Sequence, residues 1–231
     1  MPDVLITGSN RGLGLEWVRQ YAEEGWRVFA TCRHPAEARS LWELSGQHPE
    51  VSIHRLDVTV VEDIRGLFWE LEGTPVDVLL GNAGVYLEKN VAEFGSLCYH
   101  DWLRTLEVNT MGTIRVAERF LENIAKSQKR LIVAVSSHMG SIADIQDPGS
   151  YYYRSSKAAL NAVMQGLAVK LKPRGIGVLI LHPGGVKTRM GPPHGISAQE
   201  SVHGMRRIVQ DFQLERDTGR FVKYDLAPMP W

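Results

Sequence analysis

Short, almost wholly apolar runs alternate along this chain with longer stretches in which apolar residues recur every three or four positions. The short runs cover residues 4–7, 27–32, 51–55, 76–80, 131–136 and 178–182, with a weaker seventh at 221–224. Strands buried on both faces read this way, without polar alternation. The longer stretches, 13–24, 36–44, 60–71, 103–123 and 152–171, carry helical spacing. Gly25 stops the first of them, and Lys172, Pro173, Arg174 and Gly175 stop the fifth. Ser197 is placed to cap a last helix running to about Gln213, with Glu200 completing a capping box. Such alternation predicts an α/β fold, a doubly wound three-layer sandwich with a mostly or fully parallel sheet of about seven strands.

A chain of 231 residues is long enough to bury roughly 70–75% of its unfolded surface as one domain. No linker, repeat or low-complexity stretch divides it, so one domain over 1–231 is expected. Lys plus Arg and Asp plus Glu number 26 each, which argues against a nucleic-acid partner. The basic cluster Lys126, Lys129 and Arg130 reads as a solvated helix end. Cys32 and Cys98 have no metal-ligand spacing, so no metal is expected, and two cysteines fit a reducing cytosol. With strand sequence directly after Met1 and only strand-length apolar runs, no secretory signal and no membrane span are read. The expectation is a cytoplasmic protein.

Gly8, Gly12 and Gly14 lie between the first strand and the first helix. Glycine allows a tight turn and close approach of backbone to phosphate oxygens, and the helix N-terminus adds free N–H groups and partial positive charge. The setting is that of a Rossmann-type dinucleotide site, although the spacing G-x-x-x-G-x-G differs from G-x-G-x-x-G. An NAD site wants an acid at the end of the second strand. Here Thr31, Cys32, Arg33 and His34 stand there, with no acid before Glu37. Arg33, helped by Arg11 in the glycine loop, can clamp a 2′-phosphate with its forked donors, which favours NADP(H) over NAD(H).

Tyr153 and Lys157 are four residues apart in a helical stretch, so their Cβ atoms share a face about 5–6 Å apart. An unperturbed phenol titrates near about 10 and is sluggish at neutral pH. Bringing it to about 7 needs roughly 4 kcal/mol of phenolate stabilisation. A cation about 4 Å away supplies up to about 4 kcal/mol at an effective dielectric of about 20, so Lys157, helped by oxidised nicotinamide, is expected to supply most of it. The pair therefore points to proton transfer beside a hydride-carrying nucleotide. Tyr151 and Tyr152 lack a lysine four residues on. His138 beside Ser137 suggests a nucleophile and base, but strand neighbours point to opposite faces, which disfavours a hydrolase. His182 reads as structural. Met139, Met190 and Tyr151 line either an apolar substrate pocket or the core.

With these motifs in order, the chain resembles the short-chain dehydrogenase/reductases. Thr7 to Gly14, Asn10 and Leu13 included, match TGxxxGxG. Leu56, Asp57, Val58 and Thr59 are similar to the adenine-contacting stretch, and Gly81, Asn82, Ala83 and Gly84 resemble NNAG. Asn109 matches the family's catalytic Asn, Tyr153 and Lys157 its YxxxK, and Pro183, Gly184, Val186 and Thr188 its PGxVxT. The run 136–142 and the tail 219–231 look most like the C-factor and sniffer-type carbonyl reductases. The resemblance implies an NADP(H)-dependent oxidoreductase that moves hydride between nicotinamide and a small carbonyl or alcohol. It implies a tetrad of Asn109, Ser137, Tyr153 and Lys157: Tyr153 as general acid, Ser137 on the substrate oxygen, Lys157 on phenol and ribose, Asn109 anchoring a water. It also implies a homodimer or homotetramer through the helices over 103–123 and 152–171. A cofactor-binding signalling or sensor protein with little turnover is the alternative. Two departures stand out: Gly81 replaces the first Asn of NNAG, losing a strand-tying side chain, and Gly185 replaces a bulky residue, which implies a roomier pocket. The Gly/Pro-rich stretch 184–196 is read as a substrate-proximal loop or a plain surface connection.

Overall fold

The computed structural model describes residues 1–88 and 94–231. Seven strands form one sheet in the order β3-β2-β1-β4-β5-β6-β7, and every neighbouring pair is parallel. They are β1 (Asp3–Thr7), β2 (Arg27–Cys32), β3 (Val51–Arg55), β4 (Val78–Gly81), β5 (Leu131–Val135), β6 (Gly177–His182) and β7 (Phe221–Lys223). The helices are α1 (Gly12–Glu23), α2 (Arg39–Gln47), α3 (Val61–Glu70), α4 (Tyr99–Leu106), α5 (Gly112–Arg119), α6 (Leu121–Ala125), α7 (Tyr151–Leu171), α8 (Ala198–Gln210) and α9 (Leu214–Asp217).

Strand pleating sends alternate residues to opposite faces. Val4 and Ile6 of β1 join a core with Trp17 and Tyr21 of α1, Leu41 of α2 and Met205 of α8. Leu5 between them joins the other core, with Leu67 of α3, Val116 of α5, Ile124 of α6 and Leu160 of α7. Both faces of β1 are dry, which is why the strands read as continuous apolar runs. Each of the large, fully buried side chains, Trp17, Tyr21 and Phe120 among them, contributes about 1.5–3 kcal/mol of burial. The chain leaves β1 toward β2 but leaves β4 toward β5, so a crevice opens at the carboxyl ends of β1 and β4. No described helix is long and apolar enough to cross a membrane.

Several elements depart from the periodicity. The stretch expected at 36–44 is a short 3-10 turn, Pro35–Glu37, followed by α2. The helix expected at 103–123 starts earlier, at Tyr99, and is broken by a π-helical turn at Glu107–Met111 and again at Phe120. The π turn is bound sideways: Thr110 Oγ1 donates to the Ser156 carbonyl of α7, 2.8 Å away. Gly112 packs so closely on Val58 that a Cβ there would come within 2.5 Å of it. The last helix begins with Ser197 Oγ accepting from the Glu200 amide, as expected, but ends at Gln210. Val76 falls outside β4 because its amide bonds the Asn123 carbonyl instead of a strand.

Candidate active site in the cleft

A cleft of about 510 Å³ opens over the β1–β4 crevice. That is within the usual range of small-molecule sites, ~300–1,000 Å³. The glycine loop forms its floor. Gly8 and Gly12 take left-handed φ values of 70° and 55°, conformations that suit glycine. A Cβ on Gly14 would lie 2.0 Å from the Gly8 carbonyl oxygen. The first turn of α1 has no side-chain cap and no acidic residue, so its amides and positive dipole end face the cleft unneutralised. Ser9 holds the turn by donating from Oγ to the Ile6 carbonyl and accepting the Thr31 amide.

Asn82 locks β4 to this loop, its Nδ2 donating to the Thr7 and Gly8 carbonyls at 3.0 and 3.2 Å. Thr7 Oγ1 accepts the amides of Asn82 and Ala83 in return. The missing first Asn of the motif has a structural reason: a Cβ on Gly81 would meet Thr113 Cγ2 at 2.4 Å. Thr113 already fills that space.

Arg11 and Arg33, both exposed, line the rim, whereas Glu37 lies outside the cleft. Beside Arg33, burial pushes the Asp57 carboxyl up. The Thr59 hydroxyl and amide, with Arg104 and Arg33, outweigh that and hold it below its usual value. Arg104 lines the cleft 3.7 Å from Asp57. It is a residue the motifs did not flag.

At the other end, α7 presents Tyr153 and Lys157, both on the cleft wall with Ser137. The phenol is pushed up to about 12 by burial, with the Ser137 hydroxyl pulling it down and Tyr86 pushing it further up. Lys157 is buried, 4% exposed, and burial pulls its amine down to about 8. Its Nζ donates to the Val135 carbonyl at 2.8 Å and lies 5.8 Å from the Tyr153 ring centre. Without the nicotinamide, burial dominates the phenol, and the lysine's Nζ is directed to the Val135 carbonyl.

Asn109 is fully buried and does not line the cleft. Its Oδ1 accepts the Val85 amide at 2.8 Å, and its Nδ2 donates to the Val85 carbonyl and to Ser156 Oγ. It ties the loop after β4 to α7. Ser137, beyond β5, accepts the Met139 amide on its Oγ. His138 opens a 3-10 turn, not a strand continuation, and its amide donates to His182 Nδ1 at 3.2 Å. His182 is structural as expected: buried, with burial and then His138 pulling its imidazole down to about 3.

Pro183, Gly184, Val186 and Thr188 all reach the cleft, with Met190 and Pro192 beyond them. The stretch 184–196 folds back on itself, Val186 pairing with Ile196. The roomier pocket expected at Gly185 is not found, because Pro192 Cγ lies 3.3 Å from where a Cβ would stand. Met139 also lines the cleft, while Tyr151 packs edge-on against Phe94 instead. Tyr86, invisible to the motifs, stacks on Tyr153 with ring centres 4.6 Å apart. All the nucleotide-site residues named from sequence share this one cleft: Gly8, Asn10, Arg11, Gly12, Leu13, Gly14, Arg33, Asp57, Val58, Asn82, Ala83, Gly84, Tyr153, Lys157, Pro183, Gly184, Val186 and Thr188.

A family model described as short chain dehydrogenase matches residues 3–196. The chain is 39% identical to C-signal of Myxococcus xanthus over 68% of its own length and 93% of the relative's. It is similar to the solved carbonyl reductase Sniffer of D. melanogaster, 32% identical, with a TM-score of 0.90 and 100% of both chains covered. The NADPH-bound carbonyl reductase from chicken fatty liver is 29% identical at a TM-score of 0.90, with 100% of this chain and 99% of that one covered.

Proposed function

The chain belongs to the short-chain dehydrogenase family and is an NAD(P)-dependent oxidoreductase; within that family, we propose that it reduces the carbonyl group of small, largely apolar substrates with NADPH. The observation that carries this reading is the convergence of the uncapped α1 N-terminus, Arg11 and Arg33 with Ser137, Tyr153 and Lys157 on one cleft. Arg33 supports NADPH over NADH, since the end of β2 offers a guanidinium and no carboxylate to the adenosine end. NADP-bound relatives such as the chicken enzyme point the same way.

The dinucleotide fits the residues present: glycine backbone and helix dipole for the pyrophosphate, arginines for the 2′-phosphate, Lys157 for the nicotinamide ribose. When bound, it supplies hydride to the carbonyl carbon. Tyr153 then donates its proton to the carbonyl oxygen. Burial holds that phenol protonated, the form a general acid needs to deliver its proton. Ser137 donates to the same oxygen and steadies the developing charge. Lys157 faces the phenolate that remains, and Asn109 acts from behind by fixing Val85 and α7. Met139, Met190 and Pro192 give the substrate end an apolar wall. Free thiols at Cys32 and Cys98 suit a cytoplasmic setting. Leu103 of α4 and Val163 and Val169 of α7, all exposed, lie on the two helices through which we expect a homodimer or homotetramer to assemble. Light scattering that returns a monomer at micromolar concentration removes that last element.

The decisive assay mixes the purified protein with NADPH and a panel of quinones, aldehydes and ketones. Tyr153→Phe is expected to lower kcat at least about 10³-fold while leaving the NADPH Kd nearly unchanged. Full turnover by that variant removes Tyr153 from the chemistry. The identity to a protein called C-signal supports a second reading, a signalling protein that binds the cofactor and turns over little. Tight NADPH binding with no turnover across the panel would select it.

A further inference from the structure

The helix that carries Tyr153 lacks a cap of its own. Ser150, at its N-cap position, is left-handed at φ 54° and makes no side-chain bond to the first turn. Its hydroxyl instead meets the Tyr86 hydroxyl at 2.5 Å. The free amides of that turn are taken by a residue more than sixty positions away. Glu88 is buried, 5% exposed; its Oε2 accepts the Tyr152 amide at 2.9 Å and its Oε1 the Tyr153 amide at 2.6 Å. A carboxylate on two orphan amides at the positive end of a helix is a charge-assisted cap. It stands where a cap from the preceding residue would normally stand.

Residues 85–88 of the loop that supplies it are held at two points. At the first, Asn109 holds Val85 through two hydrogen bonds. At the other, Tyr86 lies on the Tyr153 ring and Glu88 grips the backbone beneath it. The same loop begins with Asn82, Ala83 and Gly84 of the cofactor cleft. Loop and helix are thus tied into one unit that spans both reactants.

We propose that Glu88 is a positioning residue, whose carboxylate sets where the Tyr153 hydroxyl stands relative to the cofactor end of the cleft. It touches neither substrate nor cofactor and acts through the first turn of α7. The kinetic consequence rests on the carbonyl-reductase reading, whereas the tether itself does not. Displacing a reacting group by about 1 Å costs on the order of 100-fold in rate.

The test compares Glu88→Ala and Glu88→Gln with the unmodified chain, using NADPH and 9,10-phenanthrenequinone. Alanine is expected to lower kcat about 10–100-fold with the NADPH Kd within about two-fold. Glutamine, keeping one acceptor oxygen for one of the two amides, recovers part of the loss. Hydrogen exchange at the Tyr152 and Tyr153 amides should quicken in both variants. If alanine prevents folding, Glu88→Gln and Tyr86→Phe carry the test; the latter keeps the ring stack, removes the Ser150 contact and lowers kcat a few-fold. A variant kcat within two-fold of the unmodified chain overturns the proposal, as does a parallel loss of cofactor binding in Glu88→Gln. Failure of the unmodified chain to reduce any carbonyl instead overturns the functional reading. The exchange measurement then still decides the tether, which unchanged protection in Glu88→Ala would refute.

Discussion

The two ends of the cleft are made of different materials. The nucleotide end is backbone: glycine turns, a bare helix terminus and strand ends in fixed register, with Gly14 packed on the Gly8 carbonyl. The Tyr153 end is side chains from separate segments, Tyr86 and Glu88 after β4, Ser137 and His138 after β5, Met190 and Pro192 after β6, converging on one helix. Backbone geometry leaves no room for substitution. Side-chain geometry is tunable.

The harshest way to break that contrast is Gly14→Ala. Its Cβ would fall 2.0 Å from a backbone oxygen and 2.8 Å from Asn82 Nδ2, which is itself pinned by its bonds to the Thr7 and Gly8 carbonyls. Overpacking of this kind costs about 1–3 kcal/mol or more. NADPH affinity is expected to drop at least about 100-fold, with a lower Tm. Fluorescence titration with NADPH checks it, and near-normal affinity would mean the turn is more pliable than its contacts imply.

Lys157→Met comes next and separates the two demands on the junction. Folding takes the amine from 10.5 to about 8, so between those pH values the unfolded chain holds a proton that the folded chain has released. Stability therefore rises with pH through that window, and below it the folded state carries a cost of about 3 kcal/mol. Methionine removes that cost but orphans the Val135 carbonyl, which forfeits about 1–3 kcal/mol. Turnover should fall about 100-fold while Tm at pH 7 holds or rises by a few degrees. That small advantage should vanish above about pH 10.5. A sharp loss of Tm at pH 7 would show that the lysine holds the fold together as well as the chemistry.

How legible each end was follows from the same contrast. Strand positions and the glycine loop were open to reading because unbroken apolar runs and glycines between a strand and a helix are local signals. The partition of alternate residues, Val4 and Ile6 against Leu5, needs only the pleat. Tyr86 and Glu88 were hidden because their partners lie on α7, and nothing local marks a carboxylate as a distant helix cap. The π turn at Glu107–Met111 was hidden too, since helical spacing runs straight through it. The rise of the Tyr153 phenol in the cofactor-free chain was hidden for a related reason: four residues fix a shared helix face but not where the lysine's Nζ ends, and here it ends on Val135.

Arg33→Asp probes a side chain at the nucleotide end. Arg33 is exposed on the rim and helps hold Asp57 ionised. A carboxylate there can accept from a ribose hydroxyl and repels a 2′-phosphate. The ratio of kcat/KM for NADPH to that for NADH should fall about 10–100-fold, equivalent to about 1.4–2.8 kcal/mol. An unchanged ratio would assign phosphate recognition to Arg11.

The smallest expected effect is the most informative about the substrate end. Gly185 has an ordinary φ, so alanine there strains no backbone, and its Cβ would touch only Pro192, at 3.3 Å from Cγ. Pro192 lies in the folded-back stretch between the paired residues Val186 and Ile196, and its ring must give by a few tenths of an ångström to admit the methyl. Binding of NADPH, whose pyrophosphate and adenosine end rest on the glycine loop, Arg11 and Arg33, should change by less than about two-fold. The shifted ring narrows the apolar wall, so KM for a bulky quinone should rise about two- to five-fold, worth ~0.4–1 kcal/mol, while that for a small aldehyde stays put. Equal changes for both substrates would mean that this stretch moves as one piece over the whole cleft and does not shape it residue by residue.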